Sequence, residues 1–284
     1  MTAMRIGLLS FVTDESMPIV DLATEAEARG FESLLVPEKT HLPVSRRTPW
    51  PGGVLPEDYK RTYDPFVALA AAAAVTRTIR LGTGICMAVA RDPIITAKEV
   101  ASLDALSDGR FVFGIGYGWN AEEIEDHGVP FANRAAVLRE KVLAMKAIWA
   151  GDEAGFQGEH VSFEPTWSWP KPRQQPHPPI VMGCRASAAN FRDIAEYCDG
   201  WIPIEYFGKT IGKLPALRSA FEQAGRDPDT ADVSVMLPFV DEGALDRYAD
   251  AGVRRLVLSV PSGGGDEVLP ALDAYVPLIE RYQG

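Results

Sequence analysis

Cysteine is scarce: the chain has three in 284 residues, Cys86, Cys184 and Cys198, with no C-x-x-C spacing. An odd count without paired spacing argues against a disulfide scaffold and a zinc ribbon. The four histidines, His41, His127, His160 and His177, are scattered and show no H-x-x-x-H spacing, so the sequence offers no support for a metal site. Positive charge is also short. The 28 Lys and Arg against 39 Asp and Glu leave a net charge of −11. Nucleic acid and anionic membrane partners need basic patches, and the short cluster Arg46-Arg47 sits between prolines. No apolar run is long enough to span a bilayer; the alanines around residues 68–75 read as small-residue helix packing. The N-terminus, "MTAMRIGLLSF", leads straight into a strand-like run and lacks a cleavable signal pattern. A cytoplasmic protein is expected.

What the sequence does have is alternation. Short runs rich in Val, Ile and Leu stand at residues 4–10, 33–37, 79–85, 111–116, 179–183, 200–204, 233–239 and 255–260. They lack the polar–apolar alternation of half-exposed strands, which suits parallel strands buried on both faces. Helical patterns lie between them, at residues 17–29, 92–107, 134–150, 188–197, 210–224, 242–251 and 266–282. Gly30 suits a helix C-terminus, and Asp92-Pro93 reads as an N-cap followed by proline at the first helical position. Eight strands in alternation with helices predict a single (β/α)8 TIM barrel over residues 1–284. A doubly wound sheet is the alternative. Two stretches interrupt the pattern. Residues 40–64 follow the second strand, where a barrel gathers its functional loops, and read as a candidate lid. Residues 151–178 precede the fifth strand and would begin at the opposite face or cross the barrel side.

The stretch "GRFVFGIGYGWNAEE", residues 109–123, carries glycines at 114, 116 and 118. A dinucleotide-binding turn needs G-x-G-x-x-G, and Trp119 stands where its third glycine belongs. An indole there would block the approach of a pyrophosphate.

The order and spacing of several pieces resemble the luciferase-like flavin and deazaflavin oxidoreductases. They are "GFESLLVPE", "IRLGTGI", "ALSDGRFVFGIGYGW", "PKPRQQPHPPIVMGCRAS" and "CDGWIPI", and they span nearly the whole chain. "GYGWNAEE" followed by "GVPFANRAAVLRE" is most similar to the branch that uses the deazaflavin coenzyme F-420. The resemblance implies hydride transfer between F-420 and a small-molecule substrate. The alternatives are a monooxygenase using reduced flavin mononucleotide (FMN) and oxygen, and a non-catalytic protein that binds either cofactor. The expected partners are the substrate and, as assembly, a homodimer, with no nucleic acid and no membrane.

The resemblance also assigns sites. Gly116 and Gly118 would clear the rim for a flat ring; a plain tight turn is the other reading. Gly183, Cys184, Arg185, Ala186 and Ser187 would hold the cofactor phosphate at a helix N-terminus, or simply form a helix capped by Ser187. Glu38 matches an acidic residue near the reacting edge of the ring in related dehydrogenases, where His follows it; here Lys39 follows. Glu38 would bind cofactor or substrate, or move a proton; otherwise it is an ion-pair partner of Lys39 or Arg46. Trp119 occupies the place of a catalytic Glu in some relatives, which puts sugar-phosphate oxidation in doubt; it would stack on ring or substrate, or lie in the core. Tyr117, Asn120, Glu205 and Tyr206 are further pocket candidates. Finally, the resemblance implies a non-proline cis peptide between Gly84 and Ile85, behind the ring.

Overall fold

The apolar runs become strands because both of their faces find cover. The computed structural model describes residues 4–45, 47–205 and 209–283. Its strands are β1 (Arg5–Leu9), β2 (Ser33–Val36), β3 (Arg80–Thr83), β4 (Phe111–Ile115), β5 (Ala154–Gln157), β6 (Ser162–Thr166), β7 (Ile180–Met182), β8 (Gly200–Trp201), β9 (Asp232–Leu237) and β10 (Arg255–Ser259). All but β5 and β6 close into one barrel in the order β1-β10-β9-β8-β7-β4-β3-β2. Every pairing in it is parallel, and Leu8 opposite Leu258 marks the seam. Leu35, Val112, Val181, Ile202, Met236 and Val257 fill the inside. Their neighbours Leu34, Val36, Phe111, Phe113, Ile180 and Met182 belong to a second layer, between strands and helices. Each such side chain contributes roughly 1.5–3 kcal/mol on burial, which lets strands this short hold.

The helices are α1 (Ile19–Ala28), α2 (Pro65–Val75), α3 (Pro93–Leu106), α4 (Ala121–Asp126), α5 (Arg134–Ala150), α6 (Ala188–Tyr197), α7 (Leu214–Gln223), α8 (Glu242–Asp250) and α9 (Gly265–Gln283). Asp92 caps α3 as its sequence predicts: its side chain accepts from the amides of Ile94 and Ile95, both at 2.9 Å. Asp64 caps α2 in the same way. Gly30 ends α1 with φ +84°, a conformation open to glycine. Among the described residues no helix is long and apolar enough to cross a membrane.

Three local expectations change. The predicted helix over 210–224 opens with a 3-10 turn, Ile211–Lys213, before α7. The sixth strand keeps regular pairing only over Gly200–Trp201, with Ile204 bridging to Met236. Residues 151–178 contain the hairpin β5–β6, whose register shifts between Ala154 and Phe156. Beyond the hairpin this insertion passes the strand-start end of the barrel. There Gln174 Nε2 donates to the Phe111 carbonyl at 2.8 Å, and Arg80 donates to Gln174 Oε1 at 3.2 Å.

Candidate active site

The other end of the barrel, where strands finish, is built around Ile85. The Gly84–Ile85 peptide is cis, as the resemblance implies. Backbone bonds tie the bulge in: Glu38 N donates to the Ile85 carbonyl at 3.2 Å, and Cys86 N to the Gly114 carbonyl at 2.7 Å. Ile85 packs on the inner barrel layer and is only partly buried. Its side chain lies across two bare strand ends. A Cβ on Gly116 would stand 2.0 Å from Ile85 Cδ1, and one on Gly183 would stand 2.8 Å from Ile85 Cγ2. The glycines therefore make room first for Ile85, and the half-buried side chain offered at the mouth is apolar. Gly118 has φ +74°, so the turn itself asks for glycine there.

Glu38 is 5% exposed and fully engaged. Its Oε2 accepts from Met87 N at 2.7 Å and its Oε1 from Arg91 Nε at 2.7 Å. Arg91 also pairs with Glu99 at 3.0 Å and with Asp64. Its guanidinium lies over the Phe66 ring, 4.8 Å from the centroid. Glu38 is thus an ion-pair partner, but of Arg91 rather than of Lys39; Arg46 lies outside the described residues. Arg91 escaped the sequence reading because nothing local ties it to an acid 53 positions earlier.

Lys39 crosses to α4 instead. Its ammonium pairs with Glu123, at side-chain exposures of 7% and 0%. It stands 5.1 Å from the centroid of the half-buried Trp119 ring. Burial pushes the Glu123 carboxyl up, against the pull of Lys39. Asn120 caps α4 by accepting from Glu123 N at 3.0 Å. Two buried atoms of this cluster, Asn120 Nδ2 and Glu123 Oε1, have no hydrogen-bond partner among the described residues. Beside it a cavity of about 250 Å³ is lined by Glu38, Lys39, Thr40, Thr62 and Asp64.

The insertion after β2 runs over this end. Glu122 accepts from Thr48 N at 3.0 Å and from Ser45 Oγ at 3.2 Å. His41 Nε2 meets Asp126 at 3.1 Å, and Thr40 Oγ1 meets His127 at 2.9 Å. On the β1 side Phe11, Tyr59 and Trp50 form an aromatic row, with centroids 4.9 and 5.8 Å apart.

At the end of β7 the chain turns through Gly183, Cys184, Arg185, Ala186 and Ser187 into α6. Ser187 Oγ accepts from Asn190 N at 3.1 Å, so the helix cap is present. Asn190 Nδ2 donates to the Arg185 carbonyl at 2.7 Å. The exposed Arg185 side chain has no hydrogen bond or ion pair among the described residues. Burial pushes the Cys184 thiol up to about 12, which suits a packed side chain and not a nucleophile. Tyr117 donates to Asp193 on α6 at 2.5 Å, bracing the loop. Glu205 accepts from the amides of Lys209 and Thr210 at 2.9 and 3.0 Å and shapes its own loop. Tyr206 lies outside the described residues.

A larger cavity, about 510 Å³, lies beside Val233 and Arg254, at the strand-start end between α7 and α8. In a barrel of this kind chemistry belongs to the strand-finish end, which makes the smaller cavity the relevant one.

The residues at the mouth fit a flat tricyclic ring with a phosphate tail. Ile85 and the bare glycine backbone give a face, and the turn into α6 offers the amides of residues 184–187 beside Arg185, unpaired among the described residues. The Gly183 amide, expected at the phosphate, is instead taken by the Ile115 carbonyl at 2.8 Å, as the close of the β4–β7 ladder. Comparison with known proteins agrees with the architecture. An F-420-dependent secondary alcohol dehydrogenase, solved with an F-420–acetone adduct, superposes with a TM-score of 0.79 at 17% identity, covering 99% of both chains. The monooxygenase RslO1 from Streptomyces bottropensis does so with a TM-score of 0.78 at 20% identity, covering 99% of this chain and 100% of its own. At such identities these likenesses establish the fold. An uncharacterised protein of Mycobacterium tuberculosis is 41% identical over 270 residues, covering 93% of this chain and 94% of its own. The profile of the luciferase-like monooxygenases matches residues 10–278, and with that span, from the end of β1 into α9, the chain belongs to the luciferase-like monooxygenase family.

Proposed function

We propose that this chain is an oxidoreductase that moves a hydride between coenzyme F-420 and a small organic substrate at the mouth of the barrel. The observation that carries the reading is the apolar face of Ile85 laid over Gly116 and Gly183, next to the open α6 loop with its unpaired Arg185. The choice of F-420 over FMN rests on the likeness of residues 116–123 and 128–140 to the deazaflavin branch, and the F-420-dependent alcohol dehydrogenase among the structural neighbours supports it.

When bound, the deazaflavin supplies or accepts the hydride. The protein's part is to hold and shield. Ile85, backed by Leu9 and Leu35, gives the ring an apolar footing. The amides of residues 184–187 and the Arg185 guanidinium receive the phosphate, helped by the α6 dipole. Glu38 keeps its place in the site by fixing Met87 and Arg91, and so the loop that follows Ile85. Trp119 walls the substrate side. The insertion over 40–64, tied to Glu122, keeps water out while hydride moves. A cytoplasmic location and a homodimer go with this reading. The dimer is supported by α2, whose 11 residues include no polar side chain, and light scattering in solution tests it: a monomer at working concentration removes it.

Titration with F-420 and with FMN, each followed by cofactor fluorescence, tests the function. Saturable quenching with F-420 alone is expected. Binding of FMN alone would instead make the chain a flavin monooxygenase. Tight F-420 binding without turnover of any alcohol or carbonyl offered would make it a binding protein.

A further inference from the structure

We propose that Lys39 hands the proton to and from the substrate oxygen, with Glu123 as the residue that positions it. The assignment rests on the hydride-transfer reading, for a substrate whose reacting carbon carries an oxygen. In the reducing direction, hydride adds to the carbonyl carbon, the C=O π pair moves onto oxygen, and that oxygen takes a proton from Lys39 Nζ. Reduced F-420 gives up one hydride and one proton as it becomes oxidised. Carbonyl plus reduced cofactor therefore balances alcohol plus oxidised cofactor, and the released proton restores Lys39.

Geometry selects Lys39 from its neighbours. It lines the 250 Å³ cavity at the mouth. An ammonium has three donors. One goes to Glu123 and one side of the group faces the Trp119 ring, which leaves a donor for a ligand. Glu38, beside it, already accepts at both oxygens. His41 and His127 are tied to each other's loop through Thr40 and to Asp126. A strut between β2 and α4 would have its buried polar atoms satisfied. Here Glu123 Oε1 and Asn120 Nδ2 are left open. Lysine is also the cation that can give up its proton, where arginine cannot. Burial pushes the carboxyl of Glu123 up, so Glu123 sits in surroundings that disfavour fixed charge.

Lys39→Arg separates this role from a structural one. The guanidinium keeps the positive charge and can still reach Glu123, but it holds its proton at any working pH. F-420 affinity, read by fluorescence quenching, should be unchanged. Turnover should fall by at least about 100-fold, the scale of a lost general acid–base group, and the pH dependence of kcat should flatten. Wild-type turnover with an unchanged pH profile would reduce the pair to a strut. Should Lys39→Arg fold poorly, the double variant Lys39→Met with Glu123→Gln decides: it leaves no uncompensated buried charge and should bind F-420 with the same loss of turnover. If the unaltered protein itself neither binds nor turns over F-420, the hydride reading falls and this assignment with it. If the unaltered protein and both variants turn over alike, only the role of Lys39 falls.

Discussion

Both ends of the barrel bury ion pairs, and one pair from each end shows two ways of building them. At the strand starts Arg255 grips Glu32 through both carboxylate oxygens, at 2.5 and 2.7 Å, and Ser234 at 2.8 Å. Both charged side chains are 6% exposed. At the mouth Lys39 meets Glu123 through a single carboxylate oxygen, at similar burial, and the other oxygen has no partner among the described residues. Burial pushes both carboxyls up. At Glu32 the hydrogen bonds and charge of Arg255 more than reverse it and the carboxyl lies below its ordinary value; at Glu123 the lysine does not, and the carboxyl lies above. A planar fork fixes charge, whereas a point charge on one oxygen leaves it movable. The pair that must not move has the arginine, and the pair we assign to chemistry has the lysine; Arg91 on Glu38, also at the mouth, is of the fixed kind.

The largest expected effect breaks the fixed pair. Arg255→Met leaves Glu32 buried and uncompensated and should cost about 3–5 kcal/mol in urea unfolding. Adding Glu32→Gln should recover most of that, since a buried pair replaced whole is often near neutral. A loss below about 1 kcal/mol, the range of surface pairs, would mean that the two ends do not differ as described.

Next in size is the contrast between a saturated arginine and a free one. Arg185 has no partner among the described residues and should be spent on the ligand. Arg185→Glu should weaken F-420 binding by about 1–3 kcal/mol, the scale of a charged hydrogen bond and its reversal, with unfolding unchanged. Unaltered affinity would remove Arg185 from the phosphate site.

A smaller effect is a difference of sign with pH. Glu32 is depressed below 4.5. Its contribution to stability is therefore full above that value and lost as pH falls below it. Glu123 is raised above 4.5. The folded protein holds that proton more tightly than the unfolded chain, so this contribution is full below 4.5 and lost as pH rises through the raised value. Unfolding free energies across pH, for the unaltered protein and for each neutralised pair, should show slopes of opposite sign. Slopes of the same sign would put the two carboxyls in equivalent states.

Most of the barrel is legible in the sequence because its signal is local. Each strand is a short apolar run, and Asp92 and Gly30 mark helix ends by chemistry within a few residues. The hairpin β5–β6 was not read, since its strands are mostly exposed and carry no apolar run. The site divides along the same line. The α6 loop and the Gly84–Ile85 bulge are visible through contiguous motifs. Arg91 on Glu38 and Glu123 on Lys39 are not, because partners 53 and 84 positions apart are chosen only when strands β2, β3 and β4 come side by side. The sequence reads Gly116 and Gly118 as room for a ring, whereas Gly116 first makes room for Ile85 and Gly118 serves its turn, both facts of packing.

The smallest expected effect concerns the insertion that covers the movable end. Glu122 holds it by accepting from Thr48 N, Thr48 Oγ1 and Ser45 Oγ. The bond from the Thr48 side chain leads the causes that hold this carboxyl down to about 2. The tie is therefore charged across the working range; its contribution is full above 4.5 and lost only as pH falls toward 2. Glu122→Gln removes the charge and brings an amide donor to a place lined by donors. The contact lies outside the barrel core, so unfolding should change less than in Arg255→Met while the insertion loosens. Arg47, 68% exposed on the same loop, gives trypsin a place to cut. Cleavage after Arg47 should be faster in Glu122→Gln than in the unaltered protein, and slower in both once F-420 is added. Equal cleavage of the two proteins would mean that Glu122 does not hold the insertion. Equal cleavage with and without cofactor would mean that the insertion does not close over it.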